Sequence, residues 1–393
     1  MTRAAPAALV CGLGALVWFV LHLGWYPHGQ IVDYAVYQAY GDSIVRSGTV
    51  PYRDFPLEYP PGALPVFIVP SFVGGDYRAN FQALMFVCDL GLLLAVLSIG
   101  GRRAAALAAL APLALGSVVL SRFDLWPAAL AALALAALLR GGRTASAVLL
   151  ASAFAAKLWA AALVPLAILW IWRRDGHREA LRWTGATAAV AAAWFLPFVA
   201  MAPGGVGHSF HQQLARPLQI ESLGASVLVA AHAGVHVASS YGSQNLAGPG
   251  THAVTLLTGA LEVVVLLAIY WLFARGEPTA DRLLLACAAA VTTLVVLGKV
   301  FSPQFLIWLI PLVPVVRRAA AWALFFGALV LTQVYFPRRY WDYVALRDTE
   351  SWIVLARNLV LLALLGVLVY AIASSRARVS ASVSARNGAR TSS

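Results

Sequence analysis

Apolar residues run along most of this chain in stretches too long and unbroken for an amphipathic helix or an alternating strand. The runs fall near residues 7–25, 80–99, 104–120, 124–139, 144–156, 158–172, 183–201, 252–274, 281–298, 303–316, 319–336 and 353–373. A helix needs about 20 apolar residues to cross roughly 30 Å of hydrocarbon, and shorter ones cross where protein or a water-filled cavity supports them. The pattern predicts an all-α polytopic membrane protein with about twelve transmembrane helices, some short or broken. Three longer polar segments interrupt it, 26–79, 202–251 and 337–352. Residues 1–373 read as one transmembrane domain, and the Ser/Arg/Ala-rich stretch 374–393 reads as a disordered basic tail.

Composition agrees: 61% of the 393 residues are hydrophobic and 11% charged, too apolar for a soluble domain. The net charge of +12 would suggest nucleic acid in a soluble chain, but its distribution says otherwise. With a cytoplasmic N-terminus, the pairs Arg102–Arg103, Arg173–Arg174 and Arg317–Arg318 fall on alternate, inner loops together with the basic tail. The inner acids are only Asp175, Glu179, Glu277 and Asp281. The basic excess thus reports orientation in a plasma membrane, with both termini cytoplasmic and the three long segments outside.

The three cysteines lie inside apolar runs without paired spacing, and read as small buried hydrophobes. His208 with His211, and His232 with His236, have helical spacing but no local carboxylate, so no metal site is expected. No nucleotide-binding glycine motif or GxSxG elbow occurs in a convincing context.

Charge does appear at the membrane boundary, in three short outer turns: "SRFDLWP" with Arg122 and Asp124, "AKLW" with Lys157, and "KVFSPQ" with Lys299 and Gln304. One such cation can snorkel to headgroups. Three on the less basic side point to a shared anion site, and a lipid phosphate is the obvious anion at that depth. Asp124 would hold Arg122 or contact a ligand. Asp89 and Glu262, inside spans, are either proton-relay or packing residues.

The first outer segment carries Ile31, Tyr34, Tyr37, Tyr40, Ile44 and Val45 at helical spacing, a short interfacial helix that Asp33 can cap and Gly48 would end. Next comes "VPYRDFPLEYPPG", where four prolines limit the conformations to be frozen. Tyr52 and Tyr59 offer flat amphipathic surfaces there, while Arg53, Asp54 and Glu58 can pair with one another or bind hydroxyls. A solvated turn with surface ion pairs is the plainer alternative. The following "ALPVFIVPSFVGG" is too short to span and reads as re-entrant or interfacial.

Asp33-Tyr34 after the first span, "GTVPYRDFPLEYPPG", "SRFDLWPA", "AAKLW" and "GKVFSPQFLIWLIPL" together resemble glycosyltransferase family 87, of the GT-C type. That family includes polyprenyl-phosphate-mannose-dependent α-1,2-mannosyltransferases. The resemblance implies inverting transfer of a sugar, mannose first, from a polyprenyl phosphate to a lipid-linked or glycan acceptor at the outer face. It makes Asp33 the general base and Arg122, Lys157, Lys299 and Gln304 the donor-phosphate ligands. Tyr34, Tyr52, Arg53, Asp54, Glu58, Tyr59 and Asp124 become sugar or acceptor contacts, with Asp54 and Glu58 as second choices for the base. Protein cations can neutralise the leaving phosphate, so no metal or other cofactor is required. A lipid-linked-sugar transporter and a non-catalytic scaffold are the competing readings.

Overall fold

A computed structural model of the chain describes residues 4–27 and 29–391, with side chains to Ser374. The side chains of the expected basic tail, and its last two residues, lie outside the described residues. The N-terminal part holds α1 (Ala4–His22), α2 (Tyr34–Val45), α3 (Leu64–Val73), α4 (Tyr77–Leu115) and α5 (Val118–Ser121). The middle holds α6 (Leu125–Leu139), α7 (Arg143–Ala156), α8 (Val164–Asp175), α9 (His177–Met201), α10 (Pro203–Ala215) and α11 (Leu223–Ala230). Two strands follow, β1 (His236–Ser240) and β2 (Ser243–Ala247). The remainder is α12 (Thr251–Arg275), α13 (Ala280–Leu297), α14 (Ala319–Tyr335), α15 (Tyr340–Val344) and α16 (Asp348–Thr391).

Six helices among the described residues are long and apolar enough to cross a bilayer: α1, α4, α9, α12, α13 and α16 as far as Ser374. That is half the number expected from the apolar runs. The difference has physical causes. Runs 80–99 and 104–120 share α4, which turns sharply at Gly101 (φ 79°, ψ −175°). α6, α7 and α14 are shorter apolar helices. The runs at 158–172 and 303–316 both begin as 3-10 helix, Leu158–Leu163 and Pro303–Leu309.

α13 is buried on nearly every side, as its all-round apolar sequence requires. α9 and α12 instead expose Leu181, Leu196, Leu256, Leu257 and Leu267, surface that suits lipid. α6 and α7 pack together, and both bury alanines, including Ala128, Ala131, Ala147 and Ala151, whose small side chains allow close backbone approach. In the α1–α4 interface the Trp18 indole donates to Asp89 Oδ2 at 2.9 Å, so Asp89 has a packing partner there.

The segments between spans are built rather than loose. α2 starts after Asp33 and ends at Val45, with Gly48 (φ 65°) just beyond, close to the limits the sequence suggests. Val50 to Pro60 folds on itself, Tyr52 N–H donating to Phe55 O (3.0 Å) and Asp54 N–H to Val50 O (2.9 Å). The 202–251 segment adds one short hairpin to the all-α architecture, β1 and β2 pairing antiparallel around Tyr241 and Gly242. Both turn residues have positive φ, 52° and 67°, as a two-residue hairpin with the right twist demands. His232 falls in the turn after α11 and His236 opens β1, so that pair does not share a helix face.

Candidate active site

The helices break at the cations. Arg122 (φ −122°, ψ 140°) ends α5 in extended conformation, and Lys157 (φ −158°, ψ 127°) does the same after α7. Irregular backbone between apolar helices is tolerated where it borders a cavity, and here it does. A cavity of about 410 Å³ is lined by Arg122, Lys157, Asp33, Glu58, Tyr59 and Tyr52 from the segments discussed so far. α10, the stretch 219–221, the hairpin turn, residues 300–308 and Tyr340 complete its walls.

Arg122 is 5% exposed and ion-paired to Asp33 Oδ2, while a second nitrogen donates to Ile31 O at 2.8 Å. Burial draws its pKa down to about 10, opposed by the nearby carboxylates of Asp124 and Glu221, so it stays charged at neutral pH. Asp33 occupies the N-cap position of α2, yet its side chain caps nothing. Its carboxylate faces Arg122 and accepts from Tyr37 Oη at 3.3 Å.

Lys157 Nζ donates to Asp124 Oδ1 at 2.6 Å and sits 4.7, 5.6 and 5.5 Å from the ring centres of Phe123, Phe305 and Trp308. Burial lowers its pKa and Asp124 opposes that shift. Trp308 Nε1 donates to the same Asp124 oxygen at 2.6 Å. Asp124 is thus fully buried behind the wall, where it orients Lys157 rather than Arg122 and does not line the cavity. Trp308 also stacks on Trp159 and Phe305, making an aromatic side to the cavity.

The proline-rich stretch contributes unevenly. Tyr52 Oη donates to Tyr59 O at 2.6 Å, and Tyr59 packs among Tyr37, Phe67 and Phe123. Burial raises both phenol pKa values, so they remain neutral hydroxyls. Glu58 faces the cavity with Arg216 Nη1 3.8 Å away. Arg53 and Asp54 instead pair with each other, at 2.9 Å through two nitrogens, outside the cavity lining. The Arg53 hydrogen bonds and the Val50 amide hold the Asp54 carboxyl down to about 2, a poor pKa for a base.

Two other expected residues stand apart. Tyr34 lies under the Arg78 guanidinium, 5.3 Å from it, and is not a lining residue. Lys299 Nζ donates to Leu214 O at 2.6 Å, so this cation caps the end of α10 beside the cavity rather than lining it. Gln304 does line it, and its Oε1 accepts the Ser302 hydroxyl.

Arg216, Gln219 and Glu221 were not singled out by the motifs. The available signal was that Arg216 and Glu221 are the only basic (Lys/Arg) and only acidic residues in 202–251. Glu221 is 1% exposed and accepts from Tyr335 Oη at 2.6 Å, while Arg357 donates to its backbone oxygen at 2.8 Å. Burial pushes its pKa up to about 7 against the pull of Arg357, Tyr335 and Arg122. Among the described residues no group of three or more His, Cys, Asp or Glu is arranged to hold a metal ion.

The sequence matches glycosyltransferase family 87 over residues 57–303, more than half of the chain. The chain belongs to glycosyltransferase family 87. As a family 87 member it is a membrane glycosyltransferase, which sets aside the transporter and scaffold readings. The matched span contains Glu58, Arg122, Asp124, Lys157, Arg216, Glu221 and Lys299, and begins downstream of Asp33. Among solved structures, ArnT from Cupriavidus metallidurans bound to undecaprenyl phosphate is similar, with a TM-score of 0.53 at 16% identity over 95% of this chain and 79% of that one. This likeness shows a shared fold of GT-C type. The Archaeoglobus fulgidus oligosaccharyltransferase AglB, in complex with an inhibitory peptide and a dolichol-phosphate, aligns at a TM-score of 0.45 and 14% identity, over 93% of this chain and 55% of that one. Among curated proteins none matches this family 87 chain in sequence.

Proposed function

We propose that this family 87 enzyme transfers a sugar, mannose in the first instance, from a polyprenyl phosphate to a hydroxyl of a lipid-linked or glycan acceptor. Transfer takes place at the extracytoplasmic face of the plasma membrane and inverts the anomeric centre. The convergence of Arg122, Lys157 and Asp33 in one cavity carries this reading. That the similar ArnT structure holds undecaprenyl phosphate supports the choice of donor class. The short helices bring the crossings to about twelve and leave both termini cytoplasmic.

The donor phosphate binds between the Arg122 guanidinium and the Lys157 ammonium. As the acceptor oxygen bonds to the anomeric carbon, the bond from that carbon to the phosphate oxygen breaks and its electron pair leaves with the phosphate. The two cations stabilise the charge that develops there. Asp33 takes the acceptor proton as the bond forms. A phosphate at Arg122 competes with Asp33 for the guanidinium, so donor binding frees the carboxylate to act. Gln304 supports the donor from the cavity wall, while Tyr52, Glu58 and Tyr59 shape the sugar pocket.

The test is transfer by purified protein from polyprenyl-phosphate mannose to a lipid mannoside. Wild type gives product and Asp33→Asn gives at most a trace; absence of transfer from any polyprenyl donor would contradict the reading.

A further inference from the structure

Beside the Arg122–Lys157 cavity lies a second one of about 260 Å³. The two share Glu58, Ser209, Gln213, Arg216 and Gly242, whereas Asp33, Arg122 and Lys157 line only the first. The second cavity therefore adjoins the first across a shared wall and lacks Arg122 and Lys157. Its own walls add Tyr40, His208, Gln212 and Tyr241.

Its polar groups suit neutral hydroxyls. His208 and Gln212 lie one turn apart on α10, with Nε2 of each 3.1 Å apart, and each keeps further capacity to donate or accept. At the junction, Glu58 and Arg216 are 3.8 Å apart, too long for a hydrogen bond, and Arg216 Nε is buried without a hydrogen-bond partner among the described residues. Tyr40 and Tyr241 add ring surface of the amphipathic kind that receives the apolar face of a sugar.

The junction is also held firmly. Ser209 Oγ and Gln213 Nε2 both donate to the Glu58 backbone oxygen, at 3.3 and 3.2 Å, tying the proline-stiffened segment to α10. The hairpin turn contributes Gly242 to the shared wall and Tyr241 to the second cavity alone.

We propose that this second cavity is the acceptor subsite, which takes a neutral saccharide unit and passes one hydroxyl into the transfer cavity between Glu58 and Arg216. The inference rests on the transferase reading above. Inversion requires the nucleophile to approach the anomeric carbon from the side opposite the departing phosphate, and neither Arg122 nor Lys157 lines the second cavity.

The experiment uses the full chain in lipid nanodiscs, with polyprenyl phosphate as the binding probe. Polyprenyl-phosphate mannose serves as donor, and octyl glycosides of mannose, glucose, galactose and arabinose serve as acceptors. Gln212→Trp fills the subsite and is expected to raise the acceptor KM at least about tenfold, the scale of one good polar contact, with polyprenyl phosphate affinity within about twofold of wild type. The milder pair His208→Ala and Tyr241→Ala should shift acceptor KM in the same direction. Acceptor KM unchanged in all these variants, with polyprenyl phosphate binding intact, overturns the subsite. So does a wild-type protein that binds polyprenyl phosphate but transfers to none of the glycosides. Failure of wild type to bind polyprenyl phosphate at all overturns the transferase reading, and the subsite with it.

Discussion

Lys157 and Asp124 are locked together, the ammonium donating to Oδ1 at 2.6 Å from a carboxylate with no exposed surface. The Trp308 indole donates to the same oxygen, so turns far apart in the chain meet at one buried atom. Removing one member of a buried pair leaves the other uncompensated, at a cost of about 3–5 kcal/mol. Asp124→Asn is therefore expected to lower the thermal midpoint by several degrees and to weaken polyprenyl phosphate binding at least about tenfold, because an unpaired buried lysine tends to lose its charge. The double variant Asp124→Asn/Lys157→Met should recover stability without recovering affinity, which thermal unfolding and lipid-phosphate binding check together.

Arg122 offers a planar fork that a single ammonium cannot reproduce. Arg122→Gln should raise the donor KM by about tenfold or more, and Arg122→Lys should restore only part of the loss. Steady-state kinetics with varied donor provide the check, and an unchanged donor KM in Arg122→Gln removes this residue from the phosphate site.

Glu221 makes stability depend on pH. Its folded-state pKa of about 7 lies above the ordinary 4.5, so the folded protein holds that proton more tightly than the unfolded chain does. The stabilisation is fully present below about pH 4.5 and is lost as pH rises through about 7. Glu221→Gln mimics the protonated form, so the wild-type midpoint should fall relative to the variant between these limits and stay offset above them. Thermal unfolding curves that run parallel across this window would show that Glu221 does not titrate there.

Gly62 places the first outer segment hard against the turn that carries Lys157. A Cβ at this position would stand 2.5 Å from Ala155 C and Ala156 N, and Trp126 Nε1 donates to Gly62 O at 3.0 Å. Gly62→Ala must push one wall of the cavity off the other. It is expected to lower both the thermal midpoint and the transfer rate, whereas Gly24→Ala, with nothing within 4 Å, should do neither.

Much of this was legible in the sequence because it rests on local pattern. The apolar runs marked the helical membrane architecture, Asp33 and Gly48 bracketed α2, and Arg122 and Lys157 stood out as charges in short turns between apolar runs. What escaped depends on contacts between distant segments. Asp124 follows Arg122 closely in sequence but pairs with Lys157, because α6 and α7 pack side by side. Arg53 and Asp54 satisfied each other at the surface, and Lys299 turned to a carbonyl of α10, pairings that composition does not reveal. Polar alternation in "HVASS" and "SQNLA" was too weak to mark a hairpin amid helices. Glu221 gained its place only when Tyr335 and Arg357, from α14 and α16, closed around it.

The most direct test of the central claim is sugar transfer by Asp33→Asn protein, purified and reconstituted with polyprenyl-phosphate mannose and a lipid mannoside, with polyprenyl phosphate binding measured on the same sample. Loss of a general base is predicted to cut the rate by about 10²–10⁴-fold while lipid-phosphate binding persists. Transfer at the wild-type rate by this variant would contradict the account.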